Sequence, residues 1–297
     1  MKSKVYYVKN VKPDSLIKLY DLLGKKLEGN VAVKVHSGEE GNQNYLRPEF
    51  MKDIIEYVNG TVVECNTAYG DRFQSGKRDT TESHLKVIEK HGWNKYFDVD
   101  LMDAEGPDAE LIVKNGKYLT KDIIGKNLLN YDSMLIISHF KGHPAGGYGG
   151  ALKQLSIGCA SSQGKALIHS AGKTTDRFKC WDYDDHNGFL ESMAEAASAV
   201  VDHFKGNIVY INVMANMSVD CDCCNVAEDP CLEDKGILIS LDPVAIDKAC
   251  LDIVKSCSDP GKEHFLERVT SRNGEHTIEV AEALGVGSTD YELINVD

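Results

Sequence analysis

Apolar and polar residues alternate between two periods along this chain. Val31-Ala-Val-Lys-Val-His36 is a short β-branched run and predicts a strand. Residues 47–59 follow with helical apolar spacing and Pro48 near the start, which suits the first turn of a helix. Thr61–Cys65 predicts the next strand, and Thr80–His91 a helix that Gly92 stops. Met134-Leu-Ile-Ile-Ser138 is an apolar run of the buried-strand type. Asn187–Lys205 predicts a helix ended by Gly206, and Asn207–Val213 another strand. Ile237–Leu241 leads into Asp242-Pro243, a capping residue with proline at the first helical position, so a helix is expected over 244–256. A last helix over 277–284 and a closing strand near 291–295 complete the pattern.

Strands alternating with helices predict an α/β fold with a largely parallel or mixed sheet flanked by helices, read as one domain over 1–297. In such sheets ligands bind beyond the carboxyl ends of the strands. Polar or glycine-rich segments follow the strands at His36, Cys65 and His139. The segment 171–185 is polar and irregular and carries Cys180.

Composition narrows the function. The 297 residues are 42% hydrophobic and 27% charged, ordinary proportions for a globular protein that buries a core. The net charge is −13, which argues against non-specific nucleic-acid binding, where phosphates must be neutralised by Lys and Arg. No apolar run is long enough to span a membrane, and the first residues, MKSKVYYVKN, lack the apolar core of a signal peptide. A cytoplasmic location is expected, where nine cysteines read as free thiols and metal ligands rather than a disulfide framework.

Four of those cysteines, Cys221, Cys223, Cys224 and Cys231, fall within the segment 221–231. Thiolates are soft ligands that suit zinc, copper(I) or iron–sulfur clusters. In an extended segment Cys221 and Cys223 share a face while Cys224 points away, and Cys231 returns through the turn at Asp229-Pro230. Cys159 stands between glycine-rich and polar segments and is a further ligand candidate. The alternative is a loop of free thiols. A second constellation is SHFKGHPAGGYGG over 138–150, followed by a helix start that includes Lys153. His139, Lys141 and His143 project from one side of a strand end there, as candidate catalytic groups, with the histidines moving protons. Free backbone N–H groups plus Lys153 make an anion pocket, although neither a Walker loop nor a dinucleotide fingerprint is present. The loops 36–42 and 66–72 add His36, Glu39, Asn66 and Arg72 as candidate binding residues.

With VAVKVHSGEEGN, VVECNTAYGDR, SHLKVIEKHG, SHFKGHPAGGYGGALKQLSIGCASSQGKALIHS, NVMANMSVDCDC and GILISLDPVAIDKACLDIV in this order, the chain resembles the domain-of-unknown-function 362 family over nearly its whole length. Members are often described as iron–sulfur centre proteins. In many, a ferredoxin-like insertion with Cys-x-x-Cys runs follows the segment matching His169. Here only 171–185 stands in that place, so this chain reads as a shortened form. The resemblance therefore implies a cluster, of the 4Fe–4S type, on Cys221 and Cys223, with Cys159 and Cys231 as the next ligands. A redox role with an electron-transfer partner, or chemistry on a small anionic substrate, is the leading expectation. A zinc site of structural or hydrolytic type and a metal or sulfur carrier are the alternatives.

Overall fold

The computed structural model describes residues 2–70, 76–104 and 108–297. In chain order the elements are β1 (Ser3–Val8), α1 (Pro13–Leu23), β2 (Val31–Lys34), α2 (Pro48–Tyr57), β3 (Gly60–Glu64), α3 (Thr81–Lys90), β4 (Val99–Leu101), β5 (Ala109–Ile112), β6 (Lys121–Ile124) and β7 (Ser133–His139). Then come β8 (Lys141–His143), β9 (Gly147–Gly149), α4 (Ala151–Cys159), α5 (Ser162–His169), α6 (His186–Phe204), β10 (Ile208–Met214), β11 (Gly236–Ser240), α7 (Pro243–Ser256), α8 (Lys262–Ser271), α9 (His276–Ala283) and β12 (Tyr291–Asn295).

Eight strands form one sheet in the order β12-β1-β11-β10-β7-β2-β3-β4. The run β10-β7-β2-β3-β4 is parallel, and β11 pairs antiparallel with both β10 and β1. The mixed, largely parallel α/β architecture is thus as the hydropathy pattern predicts. Both faces of the sheet are covered, which is why its central strands read as unbroken apolar runs. Along β7, Met134 and Ile136 enter one core with α4, α6 and α7, while Leu135 and Ile137 enter the other with α1 and α2.

Local chemistry sets the helix ends. Asp242 accepts from the Val244 and Ala245 N–H groups with Pro243 in the first turn of α7, as its sequence suggests. Lys205 and Gly206 both adopt left-handed φ values, 51° and 80°, where α6 stops. Elements without a strong pattern escape sequence reading: β4 and β5 are short and half-exposed, and α8 buries only Phe265 and Val269. The segment 171–185 is built of turns, with one 3-10 turn at Cys180–Asp182. Among the described residues no helix is long and apolar enough to cross a membrane.

The strand order places a ligand site. From β2 the chain moves outward to β3 and β4, then returns past β2 to β7 and on to β10. The connections therefore diverge between β2 and β7, and such a switch point leaves a crevice at the carboxyl ends of the two strands. His36 follows β2, and His139 ends β7.

Candidate metal centre and anion cavity

The cysteine segment after β10 is locked by the strand ends it crosses. The segment is not extended, as its spacing had suggested, but turns tightly, with the Cys224 N–H donating to the Cys221 carbonyl at 2.9 Å. Asp222 reaches His139 and Lys141 while Cys221 and Cys223 group with His143. Asp222 lies against His139 Nδ1, at 2.9 and 3.0 Å from its two oxygens, and accepts from Lys141 Nζ at 3.0 Å. All three side chains are buried. The other nitrogen of His139 meets the Ala215 carbonyl at 2.5 Å. Both ring nitrogens thus face acceptors and are satisfied together only in the doubly protonated ring. Burial pushes the Asp222 carboxyl up, but the His139 and Lys141 charges outweigh it and hold it well below the usual range. Burial likewise pulls Lys141 down, and Asp222 more than restores it, leaving the ammonium above its ordinary value. Gly142 between these residues lets the backbones touch: its N–H donates to the Ser218 carbonyl at 2.8 Å, and a Cβ there would sit 2.2 Å from the Val219 oxygen. The loop after β2 adds further ties, with Asn42 Nδ2 donating to the Cys224 carbonyl at 2.9 Å and the Glu39 N–H to the Asp222 carbonyl at 2.8 Å.

With Asp222 pinned, the thiols turn toward His143. One donor atom each of His143, Cys221 and Cys223 lie within 4.8 Å of one another, a grouping that could hold a metal ion. Cys221 is fully buried, and its sulfur accepts from the Cys223 N–H at 3.4 Å. For Cys223 the hydrogen bond with Cys221 lowers the thiol pKa, but contact with Cys224 and burial prevail and push it up to about 11. His143 Nδ1 accepts from the Ala145 and Gly146 N–H groups at 3.1 and 2.8 Å. The neutral ring therefore carries its proton on Nε2, which faces the Cys223 sulfur at 3.8 Å. Burial, then the nearby Lys153, lower His143 to about 4, so the ring is neutral at physiological pH. A cation held through Nε2 requires the other neutral tautomer, with the proton moved to Nδ1 and the contacts from the Ala145 and Gly146 N–H groups given up, besides loss of the thiol protons.

Beside the trio lies a cavity of about 60 Å³, lined by Cys223, His143, His36, Lys34, Arg78, Lys153 and Lys165 among others. That is several times the ~10–15 Å³ needed to hold one water, so the cavity has room for a small molecule. Two of its cations are neutralised. Lys34 Nζ donates to Glu64 at 2.6 Å, and Arg78 bridges Glu39 at 3.2 Å and Glu64 at 3.6 Å. Lys153 has no hydrogen-bond or ion-pair partner among the described residues. Burial and Arg78 lower His36 to about 4, and burial lowers His169 to about 3, so these linings are neutral imidazoles. Among the described residues the cavity therefore carries a net positive charge, with Lys153 unpaired.

The model of the family described as Domain of unknown function (DUF362) matches residues 31–252. The chain belongs to this family. No curated protein matches it. Solved structures that resemble the DUF362 chain include the following two. One is the lactate racemase apoprotein from Thermoanaerobacterium thermosaccharolyticum, at 14% identity over 70% of this chain and 50% of that one, with a TM-score of 0.43. The other is a structural-genomics target protein from Thermotoga maritima, at 12% identity over 91% of this chain and 58% of that one, also with a TM-score of 0.43. The chain thus spans 50% and 58% of the length of these two.

Of the residues singled out from the DUF362 sequence, His143, Cys221 and Cys223 meet at the trio, while His36 and Lys153 line the cavity. His139 and Lys141 both hold Asp222. Cys159 and Cys231 do not join the trio. The Cys159 thiol faces the Gln154 carbonyl in its own helix, and burial pushes it up to about 12. The Cys231 thiol points to the Met217 carbonyl. Asn66 bonds Thr81 and His84 and does not line the cavity; Glu39 is buried and fixes Arg78. Arg72 lies outside the described residues. Arg78, Lys34 and Lys165 were not singled out. Lys34 carried a signal, as a charged residue inside an apolar strand run.

Proposed function

We propose that this protein is a metal–thiolate protein whose centre, on Cys221, Cys223 and His143, borders a cavity for a small anion. The observation that carries this is the convergence of two thiols and an imidazole within 4.8 Å. Two sulfurs and one nitrogen leave a fourth tetrahedral position open, the donor set of catalytic rather than structural zinc. A bound metal would supply a Lewis acid at that position. The chain's own residues do the rest: Asp222, clamped by His139 and Lys141, orients the cysteines, and Lys153 attracts the anion. A four-thiolate iron–sulfur cluster draws less support, because Cys159 and Cys231 are turned to backbone carbonyls.

Anaerobic purification followed by metal and acid-labile sulfide analysis tests this reading. About one zinc per chain without sulfide, lost in Cys221→Ser and Cys223→Ser, is expected. Iron with sulfide and visible absorption would replace it with the cluster reading. A metal-free protein that takes up neither would overturn both.

A further inference from the structure

Three lysines are buried among the described residues: Lys34, Lys141 and Lys165. The first two each face a carboxylate, at 2.6 and 3.0 Å. Lys165 does not. Its Nζ donates to the Ala160 carbonyl at 2.6 Å and to no other acceptor among the described residues. An ammonium has three protons to place, and only one of them meets a protein acceptor among the described residues. A neutral amine suits this position better, because it has a lone pair and less charge to solvate. Burial drives the group in the same direction: it lowers the ammonium below its ordinary value against the pull of Cys65 and Asp103, and the Lys34 charge adds to it. Lys165 lines the same cavity as the unpaired Lys153.

We propose that Lys165 is an amine nucleophile that forms an imine with a small 2-oxo acid seated in the cavity. The Lys165 lone pair attacks the carbonyl carbon, a C–N bond forms, and the carbonyl oxygen takes a proton to give a carbinolamine. The C–O bond then breaks, the oxygen leaves as water with the second amine proton, and a C=N bond remains. No electrons are gained or lost. Lys153 holds the carboxylate, and the cavity admits only a compact molecule. The choice of an acid rests on the anion reading above; the nucleophile does not.

The test is reductive trapping. The full-length protein, as purified, is incubated with pyruvate and cyanoborohydride, digested and mapped by mass spectrometry. One near-stoichiometric reduced pyruvyl adduct on Lys165 is expected, absent in folded Lys165→Arg. No adduct, or labelling spread evenly over surface lysines, overturns the proposal, and the wild-type map alone gives this answer if the variant does not fold. Acetaldehyde is the uncharged comparison. Lys153→Ala should raise the pyruvate-to-acetaldehyde concentration ratio for half-labelling about tenfold, the effect of one charge-assisted hydrogen bond. An unchanged ratio with Lys165 still labelled removes the acid specificity and keeps the nucleophile.

Discussion

Asp222→Asn removes the one negative charge in the clamp beneath the cysteines. The side chain keeps its shape, but His139 and Lys141 are left buried, with an amide in place of the carboxylate between them. Removing one partner of a buried, hydrogen-bonded ion pair costs about 3–5 kcal/mol. With a urea slope of up to about 3 kcal/mol per molar, the unfolding midpoint should drop by about 1 M or more. The pH dependence gives a second check. The folded pKa of Asp222 lies below its unfolded value, so its contribution is complete above about pH 4 and is lost as pH falls through the folded value. Lys141 is raised, so its contribution is complete below about pH 10 and is lost as pH rises through the folded value. The gap between wild type and Asp222→Asn should therefore be flat between these limits and close in acid. The double variant Asp222→Asn with Lys141→Met should recover part of the loss, since it no longer strands the ammonium. A loss under about 1 kcal/mol at neutral pH, or strictly additive single variants, would refute the clamp.

Zinc uptake should strengthen with pH, because Cys223, pushed up to about 11, must release its proton to bind; competition with a chromophoric chelator should show about tenfold per pH unit for each thiol proton released, and a flat profile between about pH 6 and 9 would exclude Cys223 as a ligand. Gly142→Ala sets a methyl group 2.2 Å from the Val219 carbonyl, a backbone atom that cannot rotate away. A stability loss of about 1–3 kcal/mol with weakened zinc binding is expected, and wild-type melting and affinity would contradict the close packing of β8 on the cysteine segment.

Much of the fold could be read from residue order. Strands that are buried on both faces need apolar residues at every position, so 134–138, 207–213 and 237–241 stood out, and all three lie near the middle of the sheet. Asp242-Pro243 and Gly206 mark helix ends by chemistry that acts within a few residues. The turn that closes between Cys221 and Cys224 is equally local, although the spacing alone suggests an extended segment.

What the sequence determined by itself was this alternation of elements, the pairing of Cys221 with Cys223, and the strand ends where ligands gather. What only the tertiary structure decided was which side chains share a charge or a cavity. His139 and Lys141 have the residue types of catalysts, and what joins them is Asp222, over eighty residues later in the chain. Cys159 has the residue type of a ligand, but helix α4 points its thiol at a carbonyl. Lys34, Arg78 and Lys165 meet at one cavity from three separate segments. The physical reason is range: propensity, capping and side-chain alternation act over a few residues, whereas burial, ion pairing and ligand geometry depend on neighbours that only the folded chain brings together.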